Sequence, residues 1–506
     1  MTRPAVDLRE AAAGEWARRL SPRYLDQHCL LPLGTADDRS LLVAAGEAVS
    51  QSTLDELELL FERPIRLVEA SAAEIRAAIL ATTRTTEIST DANGDNGAAQ
   101  GEQSLDDARA LAAQAPVVRL VNVLLLDALR ASASDVHFES SGPREGVRVR
   151  YRLDGVLHDI SRITGPEAPA VISRVKIMAG LNIAERRLPQ DGRSRVRLAE
   201  RDIDLRVATL PALHGESVVV RLLDHGAHHR GLDELGMRPA VRTEWETVTA
   251  RSSGLVLVTG PTGSGKTTTL YAAIGRLNAP GVKIVTVEDP VEYQISGVVQ
   301  MPVNRKAGLT FASALRSILR HDPDIIMVGE TRDGETAAIA VQAALTGHLV
   351  FTTLHTNDAP SGVTRLLDMA IEPYLVSATV QAILAQRLVR LLCDNCAELY
   401  TPNESALASL GPPSALHAPR ANFRRPKGCD ECSQTGYRGR VGIYELLVLD
   451  DKLRQMIVQR VPLDELRRAA RQHGMTPLAE SAGLLAAEGK TSIAEVARVI
   501  GAGTEA

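Results

Sequence analysis

The sequence predicts an α/β protein in which a buried parallel sheet follows two smaller α/β domains. Three observations indicate this class. In the middle of the chain, short apolar runs alternate with helical stretches, as in a buried parallel sheet. Further upstream, runs with period-two alternation are separated by Asp-Gly pairs, which favours an antiparallel sheet. The length of 506 residues accommodates about three or four domains.

The first segment, 1–81, is predicted to be a small α/β domain. Helix-like and strand-like stretches alternate in it, at Thr53–Glu62, Ala72–Ala81, Arg39–Ala44 and Ile65–Val68. The next segment, 82–104, is polar and rich in Gly, Asn, Asp, Ser and Thr. Such a composition buries too little apolar surface to offset the entropy of ordering. We therefore predict a flexible linker there.

A second α/β domain is predicted for 105–235. Its helix at Val117–Ala131 precedes alternating runs at Gly146–Leu153, Ser194–Leu198, Ile203–Thr209 and Ser217–Leu223. A third domain, 236–388, contains the buried apolar runs Leu255–Thr259, Ile284–Val287, Ile325–Val328 and Leu349–Thr352. A cysteine-bearing module, 389–445, and a helical C-terminal region, 446–506, complete the predicted order.

Composition excludes several classes of protein. Aromatic residues make up 3% of the chain and the formal net charge is −5, so a base-stacking or basic nucleic-acid surface is not expected. The charged N-terminus lacks the apolar run of a signal peptide, and no uninterrupted apolar stretch of about 20 residues occurs. We therefore expect a cytoplasmic protein. Five cysteines are too few for a disulfide-stapled secreted scaffold.

One motif matches the phosphate-binding loop G-x-x-x-x-G-K-[ST]. It consists of Gly260, Pro261, Thr262, Gly263, Ser264, Gly265, Lys266 and Thr267. The glycines let successive backbone N–H groups face a phosphate, Lys266 can reach the β- and γ-phosphates, and Thr267 can bind Mg²⁺. The alternative is a chance glycine-rich turn, but a β run before the motif and a helical stretch after it favour a nucleotide site.

Acidic residues follow two of the buried runs. Glu330 ends the run that begins at Ile325, while Glu288, Asp289 and Glu292 follow another. Because parallel α/β sheets bind ligands at the carboxyl edge, these acids are candidates for binding Mg²⁺ or positioning water. Each cluster alone could instead be a solvated loop or a helix cap. His355, in a polar loop after a fourth run, either contacts a γ-phosphate or has a structural role.

The cysteines form two C-x-x-C pairs. They are Cys393, Cys396, Cys429 and Cys432, with 32 residues between the pairs. Four thiolates suit a closed tetrahedral Zn²⁺ site. Disulfides or four free thiols are the alternatives. Cys29 stands apart and is predicted to be an ordinary buried or half-buried thiol.

Several long motifs resemble those of secretion-type traffic ATPases. The Walker A, Asp box, Walker B and His box motifs of that family are matched by GPTGSGKTTTLY, IVTVEDPVEYQI, ILRHDPDIIMVGETRD and LTGHLVFTTLHTNDA. Upstream, SDVHFE, VRYRLDGVL, ERRLPQDGR and LRVATLPALHGESVVVRLL resemble the family's second N-terminal domain. Together with the tetracysteine segment, these motifs are most similar to the type II secretion branch (GspE-like). Pilus-assembly ATPases (PilB-like) are the near alternative.

The resemblance implies a RecA-like P-loop ATPase core, a PAS-like second domain and a homo-hexamer that uses ATP and Mg²⁺. It assigns Glu330 to the Walker B position and Glu292 to the Asp box, and leaves open which of them is the catalytic base. Arg206 and Arg221 match arginines that neutralise transition-state charge; without the resemblance they read as exposed strand arginines. The tail after GMTPL departs from the family pattern, which we expect to be a structural difference.

The resemblance also implies partners. Hydrolysis would drive assembly of a pseudopilus through an inner-membrane platform protein (GspF-like). The first domain would dock on the cytoplasmic domain of another inner-membrane protein (GspL-like), so that the ATPase associates peripherally with the membrane. Two other functions remain open: a nucleic-acid motor on the same core, and a nucleotide-gated scaffold without turnover. The acidic pI of about 6.2 disfavours the motor.

Overall fold

The chain forms two compact units, Met1–Ala99 and Gln100–Ala506, in a computed structural model. In the second unit the structure describes residues 103–104, 116–142, 145–198, 201–224, 231–408, 410 and 421–501. In the first unit it describes 29–35, 40–46 and 63–72, and single positions at 16, 25, 49, 54, 57, 58, 61, 74, 75 and 78. The predicted linker lies outside the described residues except at its last two positions.

The first unit contains a three-stranded sheet. Its strands are β1 (Leu30–Thr35), β2 (Leu41–Ala45) and β3 (Ile65–Glu69). The pair β1–β2 is antiparallel and the pair β2–β3 is parallel. Leu30 and Leu31 pack into separate apolar clusters because neighbouring strand residues point to opposite faces. The predicted strands are confirmed, whereas most of the predicted helical stretches lies outside the described residues.

The upstream part of the second unit is an antiparallel sheet packed against two helices. In chain order its elements are β4 (Gln103–Ser104), α1 (Pro116–Arg130), β5 (Asp135–Gly142), β6 (Gly146–Leu153), β7 (Val156–Ile163), α2 (Glu167–Met178), β8 (Gln190–Leu198), β9 (Arg201–Ala212) and β10 (Gly215–Asp224). The strand order is β4-β8-β9-β10-β5-β6-β7. The predicted antiparallel pairing is confirmed from β8 to β7. Strand β4, in the segment predicted as linker, pairs parallel with β8.

The downstream part begins with a wound α/β layer. Its elements are α3 (Pro239–Thr249), β11 (Gly254–Thr259), α4 (Lys266–Leu277), β12 (Ile284–Glu288), β13 (Val299–Pro302), α5 (Phe311–Ile318), β14 (Ile325–Val328), α6 (Gly334–Leu345), β15 (Leu349–Leu354), α7 (Ala359–Asp368), α8 (Pro373–Thr379) and β16 (Val380–Leu392). The remainder comprises β17 (Glu398–Leu399), α9 (Glu404–Ala408), β18 (Arg424–Arg425), β19 (Tyr437–Val448), α10 (Asp451–Val458), α11 (Leu463–Gln472), α12 (Leu478–Ala487) and α13 (Ile493–Gly501).

These strands form a sheet of order β13-β12-β14-β15-β11-β16-β19. All neighbours are parallel except β16 and β19. Leu255 and Val256 pack into different apolar clusters, so β11 is covered by helices on both faces. The four predicted apolar runs are confirmed as neighbouring parallel strands. Their carboxyl ends, which carry the motifs, therefore meet at one edge.

Strands β16 and β19 extend the sheet beyond the prediction. Most of strand β19, up to Glu445, lies within the range 389–445 that we assigned to the cysteine module, yet the strand pairs with β16 along nearly its whole length. The two C-x-x-C pairs lie in the connection between these strands. The C-terminal region is helical, as predicted, and its helices α12 and α13 contact β19 and β16.

Candidate active site and metal site

The phosphate-binding loop adopts a conformation that requires glycine. Gly260, Gly263 and Gly265 have φ values of 147°, 79° and 88°. A Cβ on Gly260 would lie 2.3 Å from the backbone oxygen of Gln386, so the loop also needs glycine for close packing against β16. Strand β11 therefore passes directly into a glycine-rich turn that ends at the N-terminus of α4, where backbone N–H groups favour an anion.

Lys266 begins helix α4 and lies over the loop. Its Nζ donates to the backbone oxygens of Gly260 at 2.8 Å and Pro261 at 3.0 Å. Burial lowers the pKa of Lys266 to about 8, although the nearby carboxylate of Glu330 acts in the opposite direction. The side chain of Thr267 is exposed beside it. The loop thus presents an ammonium and a hydroxyl at one helix end.

Glu330 and His355 come together at the ends of β14 and β15. The His355 Nε2 lies 3.7 Å from a carboxylate oxygen of Glu330, and Arg332 lies 2.7 Å from the other oxygen. Burial, and then the charge of Lys266, lower the pKa of His355. The hydrogen bond to Glu330 raises the pKa of Arg332. The predicted acid and the predicted histidine therefore share one charged cluster with the phosphate loop.

The Asp box is anchored by Glu288, one of the acids that follow the second apolar run. Glu288 is buried and accepts hydrogen bonds from the Tyr271 hydroxyl, from Thr286 at 2.5 Å and from Gln300 at 3.1 Å. The Tyr271 hydroxyl also accepts the backbone N–H of Glu292 at 3.4 Å. Burial, and then the bond to Glu288, raise the pKa of Tyr271. Glu288 and Tyr271 thus join helix α4 to the loop that carries Glu292.

The two predicted arginines lie opposite each other on adjacent strands β9 and β10. Arg206 reaches the Asp box, with its guanidinium 3.4 Å from a carboxylate oxygen of Glu292. Arg221 does not; its Nε donates to Asp135 at 3.0 Å. Arg152 lies 3.7 Å from the same carboxylate. Asp135 and Arg152 lie within the segments SDVHFE and VRYRLDGVL, which resemble family motifs, but the sequence analysis gave neither residue a role.

A cavity of about 990 Å³ connects these groups. The upstream sheet contributes Asp135, Arg152 and Arg221 to its wall, and the downstream part contributes Lys266, Thr267, Glu292, Glu330 and His355. A second cavity of about 900 Å³ shares Gly265, Thr268, Leu388 and Arg440 with the first and extends to the residues around Cys432. The two cavities are therefore neighbours at the start of α4, and each is large enough for part of a nucleotide.

The four cysteines converge at one point, with their Sγ atoms all within 4.8 Å of one another. Three Sγ–Sγ distances are 3.9 Å for Cys393–Cys429, 3.8 Å for Cys396–Cys432 and 3.7 Å for Cys429–Cys432. A tetrahedron of sulfurs around zinc has edges of about 3.8 Å, because each Zn–S bond is about 2.3 Å long. These cysteines are free thiols rather than disulfides. The cluster fits a tetrahedral metal ion.

Burial raises the pKa of Cys393, and raises that of Cys396 to about 11, whereas neighbouring hydrogen-bond donors favour negative charge on the sulfurs. Backbone N–H groups of Gly428 and Gly436 point at Cys396 at 3.4 Å and Cys432 at 3.2 Å. The Asn395 side chain, followed by a backbone N–H bond, lowers the pKa of Cys429 to about 6. Thiolates are the form that binds metal, and such donors are typical around metal sites. Cys29 is buried in the first unit and takes no part.

Two family models match the chain. The model described as "Type II/IV secretion system protein" matches residues 110–498, and the MshEN domain model matches residues 2–87. Two solved structures resemble the fold. They are the ATPase DotB of Legionella pneumophila (TM-score 0.57, 22% identity, covering 80% of this chain and 100% of that one) and the pilus retraction motor PilT with ADP (TM-score 0.50, 25% identity, 75% and 96%). In the part of the chain that the structure describes, no helix has the length and apolar character to cross a membrane.

Three relatives that match over most of this chain show which branch of the family it resembles. The type II secretion system protein HxcR of Pseudomonas aeruginosa is 50% identical over 76% of this chain and 77% of its own length. The type II secretion system protein E of Xanthomonas campestris pv. campestris is 45% identical over 95% and 84%. The pilus assembly ATPase PilB of Myxococcus xanthus is 41% identical over 97% and 88%. The chain therefore belongs to the type II/IV secretion system protein family of ATP-hydrolysing enzymes, on its type II secretion branch.

Proposed function

We propose that this chain binds Mg²⁺-ATP in the larger cavity and couples its hydrolysis to the movement of one domain against another. One observation carries the proposal: residues of the upstream sheet and residues of the wound sheet face the same cavity around the phosphate loop. Phosphoryl transfer needs positive charge and Mg²⁺ around the γ-phosphate and a group that orients water. The charged side chains that would meet these needs lie in the walls of this cavity or contact them.

The residues of this loop have separate tasks. The backbone N–H groups of residues 262–267 would hold the phosphates, with Lys266 neutralising the β- and γ-phosphates. Thr267 would bind Mg²⁺ through its hydroxyl, and the exposed position of this side chain supports that role. The second cavity leaves room for the nucleoside. Mg²⁺ would supply charge neutralisation at the β- and γ-phosphate oxygens when bound.

The two glutamates and His355 would act at the γ-phosphate. Glu330, partly buried with a side-chain exposure of 14%, is held between Arg332 and His355. Glu292 is held by Arg206 from the upstream sheet. Both can orient water, and His355 can donate to a γ-phosphate oxygen. Comparing turnover of Glu330→Gln and Glu292→Gln, with nucleotide binding measured alongside, identifies the base as the variant that binds but does not hydrolyse.

The contact between Arg206 and Glu292 would couple hydrolysis to motion. An arginine delivered from another domain compensates the charge that develops on the phosphoryl oxygens. When phosphate leaves, that charge disappears and the closed arrangement loses part of its stabilisation. The upstream sheet can then rotate away from the Asp box. Arg221, which Asp135 orients at the cavity wall, would assist.

The tetracysteine cluster would hold Zn²⁺ as a structural ion. The sulfur geometry supports a closed four-coordinate site, in which no position remains for water or substrate. Its position in the connection between β16 and β19 favours a role in holding these strands together.

In the cell, the ATPase would form a homo-hexamer at the cytoplasmic side of the inner membrane. The first unit would dock on the cytoplasmic domain of an inner-membrane secretion protein (GspL-like). The moving ring would act on a platform protein (GspF-like) to assemble a pseudopilus. No nucleic acid takes part. These steps rest on the similarity to type II secretion E proteins.

Pilus assembly is the second candidate, because the PilB relative matches nearly the whole chain. Higher identity to the type II secretion proteins favours secretion. The test is a chromosomal Lys266→Ala exchange in the native host. Loss of extracellular enzymes with normal surface pili is the expected result, whereas intact secretion with loss of pili would transfer the function to pilus assembly.

A further inference from the structure

The segment that carries His355 is fastened at its first end to the strand before the phosphate loop. The Oγ1 of Thr356 lies 2.8 Å from Oγ1 of Thr259, and the Thr356 N–H donates to the same atom at 2.8 Å. Thr259 is fully buried and is the last residue of β11. A shift of the residue next to His355 therefore acts directly on the entry to the phosphate loop.

The other end of the segment is fastened to the C-terminal helices. Asp358 is the N-cap of α7, and its Oδ1 accepts the N–H of Ser361 at 2.7 Å. Its Oδ2 accepts two hydrogen bonds from Arg467 of helix α11, from Nε at 3.1 Å and from a terminal nitrogen at 2.6 Å. Such paired, charge-assisted bonds fix direction as well as distance. The same guanidinium also donates to the Ser361 hydroxyl at 3.3 Å.

A buried carboxylate makes a second connection beside the first. Glu445 of β19 is 4% exposed. One of its oxygens accepts the N–H of Ala359 at 2.7 Å, and the other accepts the N–H of Leu478 at 3.1 Å. Ala359 and Leu478 are the first residues of α7 and α12. The start of α7 is thus held jointly by β19 and by two helices of the C-terminal region.

We propose that Arg467 is a positioning residue for ATP hydrolysis, which acts through Asp358 to hold His355 at the cavity. The proposal rests on the role proposed above for His355. Without the guanidinium, Asp358 keeps its capping bond, but the residues from His355 to Asp358 lose a fixed support on their outer side. Displacements of about 1 Å in a catalytic group can lower a rate by about a hundredfold. The C-terminal helices would therefore set the competence of the active site.

The test uses the full chain with Arg467→Ala and Asp358→Asn. The second variant keeps a good helix cap while weakening the bond to Arg467. Arg468→Ala, an exposed neighbour on the same helix, is the matched control. We measure kcat, KM for ATP, the melting temperature, and the ratio of affinities for a non-hydrolysable ATP analogue and ADP. Both test variants should lose about tenfold or more in kcat and part of the preference for the analogue. The control Arg468→Ala should match the wild type in all four measurements.

A double variant decides whether Arg467 acts through His355. If it does, Arg467→Ala should cause no further loss in a His355→Gln background. Additive losses would overturn the proposal, as would unchanged kcat and analogue preference in both single variants. If Arg467→Ala lowers the melting temperature while Asp358→Asn keeps wild-type kinetics, Arg467 only stabilises the fold, and the proposal is wrong. Wild-type turnover of His355→Gln would instead refute the proposed role of His355, and this proposal with it.

Discussion

At the scale of single residues, the candidate site is a balance of close opposite charges. Lys266 and Arg332 lie around Glu330, and His355 approaches the same carboxylate. A triphosphate that enters this space meets Lys266 and Arg332, whose positive charges are already partly compensated by the carboxylate of Glu330. Nucleotide binding therefore depends on the protonation of Lys266 more than it would at an exposed lysine.

Replacing Lys266 with alanine should abolish hydrolysis. The variant loses the only ammonium that the phosphate loop carries, and removal of one charge-stabilising donor typically costs about a hundredfold or more in rate. Phosphate release assays on purified protein measure the loss. Lys283→Ala, an exposed lysine of the same sheet region, should retain wild-type turnover. If Lys266→Ala hydrolyses ATP as fast as the wild type, the phosphate loop is not part of the active site.

Nucleotide affinity should fall as pH rises through the pKa of Lys266, which is about 8 in the free protein. The phosphates bind the protonated form, so binding takes up protons near this pH, and affinity falls by up to about tenfold per pH unit above it. Titrations from about pH 7 to about pH 9 measure the slope. Lys266→Arg, which stays charged, should show a flatter profile. Equal slopes in the two proteins would contradict the assignment.

At the scale of elements, the candidate active site is built where loops follow parallel strands, and the cysteine cluster lies in the connection between two long strands. These loops were predictable because each motif is contiguous and follows an apolar run. The network of Tyr271, Glu288 and Gln300 was not, since three separate segments supply it. The bond from Arg467 to Asp358 joins residues 109 apart in sequence. One arginine among several on an amphipathic helix gives no signal of such a contact.

Loss of one cysteine should open the metal cluster. Cys429→Ser should reduce bound zinc from about one ion per chain and lower the melting temperature, because metal binding stabilises the folded module. Metal analysis by mass spectrometry and thermal unfolding give the two readouts. Cys29→Ala is the control and should keep its metal, since Cys29 lies in the first unit. A metal-free wild type of full stability would contradict the zinc site.

At the scale of the whole molecule, the second unit holds every candidate site residue. Within it, the upstream sheet touches the downstream part at the active site through Arg206 and again through Asp154, which accepts the N–H of Gly439 at 2.8 Å. The role of Arg206 could be predicted only from the resemblance to known motifs. The position of an arginine in a strand does not show which residue of another sheet it contacts. The boundaries of the smaller domains stay predictions.

Arg206→Ala should uncouple the two parts. We expect kcat to fall at least about tenfold, because the charge supplied from the upstream sheet is lost. Arg195→Ala is the control, since Arg195 lies on the neighbouring strand and pairs with Asp204 at 3.0 Å. Steady-state ATPase assays under matched protein concentrations compare the two. Equal activities would show that the contact with Glu292 has no part in turnover.

Removal of the first unit should separate docking from hydrolysis. A chain of residues 100–506 retains the phosphate loop, the acids and the arginines, so basal ATPase activity should persist. Recruitment to membranes by the partner protein should be lost, as measured by fractionation of cells that produce each form. Membrane association of the shortened chain would place the docking surface elsewhere.

The connection between β16 and β19 affects how the chain tolerates changes in its length. The cysteine pairs follow directly on the end of β16 and precede the start of β19, so a bound ion would close this connection at its base. The entropy cost of closing the connection between β16 and β19 would then depend little on the 32 residues between the cysteine pairs, because the ion already holds their two ends together. Insertions or deletions there that spare Leu410 and Phe423, which are buried in the core beside β16 and β19, should therefore leave the register beside the phosphate loop intact.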